Sequence, residues 1–457
     1  MLETLPGARA CALLLLLTTT VRPDPPSAPS GASETPERLT ALLESYFRAA
    51  APADRAEIRR EIEEAAGGSL DRVAECVRGL QLWSKPIEPE GEVHYQPAPQ
   101  GDVTVAYRLP SGYVPARAFP LLLCYGDEST SSSDGLALAS HVLGPPAAEF
   151  VLACPQRPMG GSFHRPPEES GDLPGLLRAL RRQVHVDGDR VFLFGYGAGG
   201  DAAWTAAIMH ADLFAGAVIV SGRPRVPYAR QVYPLLLQNL RDLPVLAGWF
   251  ESREAAPSKE LEDVAAHNRG IVGFAASAGL PITGMAMAGA VPPRPTAAFL
   301  DEAARLLTHR RPDPPWSVSH WFRYPVQGRS RWLTQTAYKG DVWTEDQLAI
   351  LPAPASDRDA YIASVVRDRL AYLHGRIDGQ DVTIETRRCA AVELSLPAGL
   401  FDLNRPVTVR CNGRVRHDGP VRASIETLLE TAFAQWEFQR LVPAMVSFSL
   451  QSDAERD

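Results

Sequence analysis

The chain has 457 residues, of which 45% are hydrophobic and 22% are charged. This length is sufficient for two or three domains, and this composition is that of a globular protein and excludes wholesale disorder. The formal net charge is −8 and no basic run stands out, so the sequence argues against nucleic acid as a partner.

The N-terminal segment is the only strongly apolar stretch. Arg9 precedes ACALLLLLTTTV (10–21), and a small, proline-rich stretch follows. This order predicts a secretory signal peptide, and therefore an exported protein, periplasmic or extracellular. The apolar core is too short to span a bilayer, so we expect no transmembrane segment in the mature chain. We assign 1–32 to signal peptide and linker; the alternative is an unstructured apolar leader.

Cysteine and histidine spacing argues against a metal site. If Cys11 leaves with the signal peptide, five cysteines remain, and none forms a CxxC pair. Cys124 and Cys154 end apolar runs, where a buried free thiol is the ordinary state, whereas Cys389 and Cys411 could pair in an oxidising compartment. The ten histidines show no HxH or HExxH spacing, so we expect neither a metal nor a cofactor.

Residues 33–90 have the apolar spacing of a small helical region. Asp54 with Glu57 resembles a capping box, and Ser69 is placed to cap a third helix. The region could be a docking or lid element, but we favour a packing appendage.

Residues 91–311 predict a mostly parallel, doubly wound sheet, which is an α/β fold. Short apolar runs, typical of strands buried on both faces, alternate with helical stretches. The strand-like runs are 102–110, 119–126, 149–155, 190–197, 215–222, 243–250 and 280–289, the first with the alternation of an edge strand. The helical stretches include 171–184, 199–210, 258–278 and 295–309, and 187–190 (DGDR) is interpreted as a turn.

Residues 312–457 predict a β-rich domain that follows a proline-rich hinge. Helices are expected at about 357–373 and 423–438, and Asn412-Gly413 predicts a hairpin turn between two alternating segments. Four tryptophans could line a carbohydrate-binding face, although in a small β domain they more often belong to the core. They are Trp316, Trp321, Trp332 and Trp343.

One turn has the form of a nucleophile elbow without its nucleophile. In GYGAG (195–199) an apolar strand leads through small residues into a helix, as in G-x-S-x-G, whose helix N-terminus directs N–H groups to an oxyanion. Gly197 stands at the serine position. The glycines also fit the dinucleotide pattern G-x-G-x-x-G through Gly200. That reading is disfavoured, because the turn does not open its domain and no acidic residue ends the next strand.

The segment HADLFAGAVIVSG (210–222) is similar to the run H-P-D-L-F-A-A-A-V-x-x-S-G that follows the elbow in bacterial esterases. With the elbow, it makes residues 92–310 resemble the α/β-hydrolase superfamily, in its esterase and prolyl-oligopeptidase-like branch, near polyhydroxybutyrate-depolymerase-like enzymes. The segment VELSLPAGLFDLNRPVTVRCNGRV (392–415) resembles a β domain that accompanies such hydrolases in some bacteria. The resemblance covers about three quarters of the chain.

The resemblance implies a triad that has lost two members. The nucleophilic serine falls on Gly197, the acid falls on Glu251, and the histidine falls on Ala290. Because this chemistry needs a nucleophile, a base and a group that orients the base, we expect no catalytic residue at these vestigial positions.

A cleft beside the turn is the expected binding site. Loop residues could restore catalysis through a displaced pair, Ser129–Ser133 with His164, but a loop serine lacks the fixed geometry of the elbow. Cys124 and Cys154 are weaker candidates because we expect them to be buried. The residues expected at the cleft are Tyr125, Gly126, Tyr196, Ala198 and His164.

These observations predict an exported, bacterial, α/β-hydrolase-like pseudoenzyme that binds a protein, a small ester or a glycan. One alternative is an active carboxylic-ester hydrolase that uses displaced residues. Another is a purely structural envelope protein. An open pocket above Gly197 would favour binding, and a filled one would favour the structural class.

Overall fold

A computed structural model describes most of the chain. The predicted signal peptide lies outside the described residues, and so do His164, Ala290 and Trp343. Within the described part, no helix combines the length and apolarity that a membrane span requires. The described ranges are 35–83, 87–96, 101–160, 171–226, 229–251, 259–288, 294–342, 357–397 and 399–450.

An eight-stranded sheet forms the centre of the molecule, in the order β1-β2-β4-β3-β5-β6-β7-β8. The pairs β1–β2 and β2–β4 are antiparallel, and all other neighbours are parallel. The predicted mostly parallel sheet is therefore confirmed. Its strands are β1 (Glu90–Tyr95), β2 (Val103–Arg108), β3 (Phe119–Tyr125), β4 (Val151–Pro155), β5 (Val186–Tyr196), β6 (Gly216–Val220), β7 (Val245–Glu251) and β8 (Ile282–Ala288).

Helices cover both faces of this sheet. Along β3, Leu121 and Leu123 join one apolar cluster, whereas Leu122 and Cys124 join the other. Burial on both faces is the reason for the continuous apolar runs. The helices are α4 (Ser132–Leu143), α5 (Leu173–Gln183), α6 (Ala198–Met209), α7 (Ala229–Leu236), α8 (Lys259–Ala278) and α9 (Ala297–Leu306).

The C-terminal part contains two further sheets, ordered β10-β11-β14-β17 and β16-β15-β13-β12-β9. One apolar cluster includes buried residues of both sheets, so the two sheets pack face to face. Asn412 (φ 48°) and Gly413 (φ 77°) form the predicted hairpin turn between β15 and β16. The elements are β9 (Ser317–Phe322), β10 (Arg329–Ser330), β11 (Leu333–Tyr338), α10 (Arg358–Arg369), β12 (Ala371–Asp378), β13 (Asp381–Arg387), β14 (Cys389–Leu396), β15 (Val407–Cys411), β16 (Arg414–Gly419), α11 (Ile425–Gln435) and β17 (Ala444–Ser449).

The three N-terminal helices pack against the last helix of the chain. They are α1 (Pro36–Arg48), α2 (Pro52–Ala65) and α3 (Leu70–Arg78). Their buried apolar residues share one cluster with Leu428 and Leu429 of α11. Ser69 caps α3 as predicted, because its hydroxyl accepts the N–H of Arg72.

Several local predictions were wrong. The segment β2 is not an edge strand, because the polar strand β1 pairs with its outer side. Residues 187–190 lie within β5 and do not form a separate turn. Helix α2 begins at Pro52, so Asp54 lies inside the helix and cannot cap it. Helix α10 ends at Arg369, and the alternating residues that follow form β12.

The tryptophans do not share one exposed face among the described residues. Trp332 is buried and its indole N–H donates to the Pro315 carbonyl. Trp321 packs against the Tyr372 ring, with the ring centroids 4.4 Å apart. Trp316 is 53% exposed. The prediction that these tryptophans belong to the core is therefore correct for Trp332 and wrong for Trp316.

Candidate functional site

The turn between β5 and α6 has the geometry of an elbow. Strand β5 ends at Tyr196 and α6 begins at Ala198, so Gly197 alone forms the corner. Gly197 has φ 59° and ψ −125°, a conformation that strains residues other than glycine. Its N–H donates to the Val220 carbonyl of the neighbouring strand. The predicted position and positive φ of Gly197 are confirmed.

Close backbone approach explains a second glycine of the turn. A Cβ atom at Gly199 would lie 2.2 Å from the carbonyl oxygen of Gly126 and 2.3 Å from that of Tyr125. Any side chain at this position would therefore push α6 away from the end of β3. The small residues of the motif thus bring the N-terminus of α6 directly against the loop after β3.

The carboxylate of Asp127 occupies the place of the missing nucleophile. A Cβ atom at Gly197 would lie 2.9 Å from both Cγ and Oδ1 of Asp127. Oδ1 accepts the N–H groups of Ala198 and Glu128, each at 3.0 Å. The Ala198 N–H, which we expected to face a cleft, is therefore already bonded to an anion at the helix N-terminus.

The sheet order places this elbow at the end of a central strand. Strand β5 has four strands on one side of it in the sheet and three on the other. The strands from β5 to β8 are neighbours in chain order, and each pair is parallel. A strand, an elbow and a helix at this place in a sheet of this order define the α/β-hydrolase architecture. The chain has the α/β-hydrolase fold.

Comparison with solved structures found esterases of low similarity to this chain. A thermostable esterase is 16% identical with TM-score 0.36, over 49% of this chain and 64% of its own, just under two thirds. A ferulic acid esterase is 13% identical with TM-score 0.37, over 48% of this chain and 97% of its own. A thermophilic carboxylesterase from a metagenomic library is 19% identical with TM-score 0.34, over 56% and 97%. No family model and no curated protein matches the sequence.

The expected cleft residues have differing environments in this α/β-hydrolase fold. Tyr125 is 1% exposed and its hydroxyl donates to the Met159 carbonyl, so it is a core residue and does not line a cleft. Tyr196 is also buried, and burial, followed by the charge of Asp127, raises its pKa. Gly126 contributes the carbonyl that packs against α6.

Glu251, at the vestigial acid position, is the last residue of β7 and lies at the carboxyl edge of the sheet, as Gly197 does. Its carboxylate is exposed and pairs with Arg269 at 3.5 Å. His267 instead bonds through Nδ1 to the Asp263 carbonyl and faces the Arg223 guanidinium. Among the described residues, Glu251 thus pairs with an arginine and not with an imidazole.

Three of the displaced nucleophiles considered above, Ser131, Cys124 and Cys154, are engaged in hydrogen bonds or protonated. The Ser131 hydroxyl accepts the Asp134 N–H and donates to the Asp134 carboxylate at 2.6 Å, which makes it the N-cap of α4. Burial raises the pKa of the Cys154 thiol to about 11 and raises that of Cys124 well above its usual value. Protonated, buried thiols are poor nucleophiles.

Sequence reasoning missed Asp127. The only local signal is its position, immediately after Tyr125 and Gly126, two of the residues expected at the cleft. Nothing in a one-dimensional pattern indicates that its carboxylate crosses to a helix 71 residues further along the chain.

Proposed function

We propose that this is an exported protein that retains the α/β-hydrolase fold without its catalysis and acts by binding or scaffolding. The observation that carries the loss of catalysis is the Asp127 carboxylate at the nucleophile position. Because that volume is filled, we propose that binding uses a surface other than the elbow. A hydrolase needs the volume above the elbow for a nucleophile and the N–H after it for the oxyanion. Here one side chain fills that volume and accepts that N–H.

The other vestigial positions support the same conclusion. Glycine at 197 has no group to activate, and Ala290 supplies no imidazole where the resemblance places the base. The nucleophile and the base act as a unit, so the loss of either removes most of the rate enhancement. An anion fixed at the oxyanion donor would also repel the negative charge that develops during ester hydrolysis.

An ester-hydrolysis assay tests the proposal. We expect the purified protein to hydrolyse short-chain p-nitrophenyl esters no faster than the same protein after heat denaturation. We also expect no covalent labelling by a fluorophosphonate, which reacts with activated serine hydroxyls. Turnover at about 1 s⁻¹ or faster, with labelling on a loop serine such as Ser129, would establish instead an active hydrolase that uses displaced residues.

Variants make the assay specific for the elbow. Gly197→Ser alone should remain inactive, because its side chain meets Asp127 and no base removes its proton. Gly197→Ser combined with Asp127→Gly and Ala290→His should exceed each single variant, although it should stay far below typical enzymes. If Gly197→Ser alone gave enzyme-like turnover, Asp127 would not obstruct the site.

Export and binding need separate measurements. Cell fractionation with N-terminal sequencing of the mature chain should give a start near Ala28 or Ala32. Retention of residues 10–21 in a cytoplasmic protein would contradict export. A protein that is exported but binds no ligand or partner would belong to the structural envelope class.

A further inference from the structure

A cavity lies at the opposite edge of the central sheet from the elbow. It encloses about 500 Å³, within the range of small-molecule sites. Its wall includes Asp212, which precedes β6 at the amino edge, together with Thr334 of β11 and Gln435 of α11. We call it the amino-edge cavity. It lies where the α/β part, the four-stranded C-terminal sheet and α11 meet, and clefts between such units commonly bind ligands.

Four arginines line the amino-edge cavity: Arg311, Arg329, Arg331 and Arg440. Three of them are engaged with the protein. Arg440 donates to Asp189 at 2.6 Å, Arg329 donates to Gln435 at 3.1 Å, and Arg311 donates to Glu437 at 3.2 Å. These three arginines are thus held in place by the protein, and four acidic residues line the same cavity: Asp212, Glu393, Glu430 and Glu437.

Two of the lining arginines retain unused donors. The Arg311 side chain is 10% exposed, and its buried Nε has no partner among the described residues. The Arg331 guanidinium makes no hydrogen bond to the described part of the chain. Each guanidinium carries five N–H donors, and a buried donor without an acceptor is costly. The Arg331 side chain therefore lacks an acceptor at the cavity, whereas the unpartnered Nε of Arg311 is buried and does not open onto it.

The backbone at Arg331 is also unusual. Arg331 has φ 56°, in the left-handed region that residues other than glycine and asparagine seldom adopt. Its N–H donates to the buried Asp212 carboxylate at 3.3 Å, which helps to hold this conformation. Strained residues concentrate at functional sites, where the surrounding structure maintains them. The contact with Asp212 thus fixes Arg331 at the cavity wall.

The acidic residues of the wall do not provide hydrogen-bond acceptors for all of the arginine N–H donors. Behind Arg311, the buried Arg181 leaves both Nε and Nη2 without partners, although Glu437 lies 3.8 Å from its Nη1. Glu393 accepts from the Ser447 hydroxyl, and Glu430 accepts from the Tyr46 hydroxyl. Arg181 does not line the cavity, so the donors open to an anion are those of Arg331.

Apolar groups form another part of the wall, namely Pro314, Val442 and Met445. We propose that the amino-edge cavity binds a small amphipathic organic anion, whose carboxylate or phosphate group contacts Arg331 while its apolar body packs against Pro314, Val442 and Met445. The planar guanidinium matches both oxyanions in two-pronged geometry. The inference rests on the proposed binding role, to which it assigns a site and a ligand class.

Calorimetric titration of the full chain tests the inference. The probes are phenyl phosphate and benzoate, with benzyl alcohol as a neutral compound of similar apolar body. We expect one molecule of at least one anion to bind, and the alcohol to bind at least about tenfold more weakly. A preference between the two anions identifies phosphate or carboxylate as the bound group. Equal binding of the alcohol, or no anion binding at ~10 mM, would overturn the proposal.

Two variants localise the binding. Arg331→Asn removes the guanidinium but keeps a residue that tolerates positive φ, and should weaken anion binding by about tenfold or more. Arg388→Asn is the matched control, because Arg388 also has positive φ (58°) but does not line the cavity. Unchanged affinity in Arg331→Asn would place the anion elsewhere and refute the inference.

A third variant guards against loss of folding. Ser395 lines the same cavity, and Ser395→Asp adds a negative charge without removing any arginine. It should weaken binding of both anions while near-ultraviolet circular dichroism stays native; wild-type affinity in this folded variant counts against the site. Because the ester assay reads the elbow and the titration reads the opposite edge, either proposal can fail while the other stands.

Discussion

At the carboxyl edge of the sheet, the Asp127 carboxylate occupies the small volume that a side chain at position 197 would need. The φ of 59° at Gly197 permits the corner, and the absence of a side chain there admits the carboxylate. The carboxylate in turn satisfies the free N–H of Ala198 at the start of α6. The turn is therefore a helix-capping interaction between distant segments in the place where a hydrolase keeps its nucleophile.

A double-mutant cycle tests whether Asp127 occupies this volume. Gly197→Ala should destabilise the protein by about 1–3 kcal/mol, because alanine is strained at this φ and its Cβ meets the carboxylate. In an Asp127→Ala background we expect the same change to cost about 1 kcal/mol less, since the steric part is relieved. Urea unfolding measures both values. Equal costs in the two backgrounds would show that Asp127 does not fill this volume.

At the scale of elements, α1 to α3 depend on α11 for their core. The Phe47 ring of α1 is 2% exposed and lies 4.9 Å from the Phe438 ring and 5.7 Å from the Trp436 ring, centroid to centroid. The Tyr46 hydroxyl donates to Glu430 of α11 at 2.9 Å. These contacts, which join the two ends of the chain, support the packing appendage over a mobile lid.

The aromatic cluster should therefore contribute strongly to stability. Phe47→Ala removes a buried ring and should cost about 3–5 kcal/mol of unfolding free energy. Val114→Ala is a control at a 49% exposed position and should change stability by less than about 0.5 kcal/mol. Chemical denaturation followed by tryptophan fluorescence reports both. A loss below about 1 kcal/mol for Phe47→Ala would mean that α1 contributes little to the folded core.

At the scale of the whole molecule, a partly buried polar cluster joins the central sheet to the C-terminal sheets. His210 and Asp212 precede β6, His320 lies on β9, and Arg329 lies on β10. Burial lowers the pKa of His210 to about 4 and also lowers that of His320. Burial alone would raise the pKa of Asp212, but the charges of Arg329 and its neighbours hold it below its usual value.

This cluster makes the protein sensitive to acid. Between about pH 6.5 and pH 4, the unfolded chain binds a proton at residue 210 while the folded chain does not, so stability falls as the pH falls. The loss from His210 is at most about 3 kcal/mol over this window, whereas the contribution of Asp212 is lost only at still lower pH.

Thermal unfolding across this pH range measures the effect. His210→Gln should flatten the profile, and His94→Gln, at an exposed position, should leave it unchanged. A wild-type melting temperature that stays constant from pH 6.5 to pH 4 would contradict the assignment of a neutral, half-buried imidazole at His210.

Patterns with a short period along the sequence predicted most elements of the central sheet. Residues 119–125 and 216–220 are buried on both faces, so their apolar runs were sufficient to assign β3 and β6. Strand β1 was missed because only Val93 of its six residues is buried. Strand β12 was assigned partly to a helix because α10 leads into it with a single residue between them.

The sequence by itself determined the parallel α/β sheet, the hairpin at Asn412-Gly413 and an elbow with glycine at position 197. These features depend on side-chain size, burial period and backbone freedom within a few consecutive residues. Only the tertiary structure decided that Asp127 fills the elbow and that Arg311 and Arg331 share the wall of one cavity. Their side chains meet because sheet order and packing bring distant segments together, and no local spacing records that proximity.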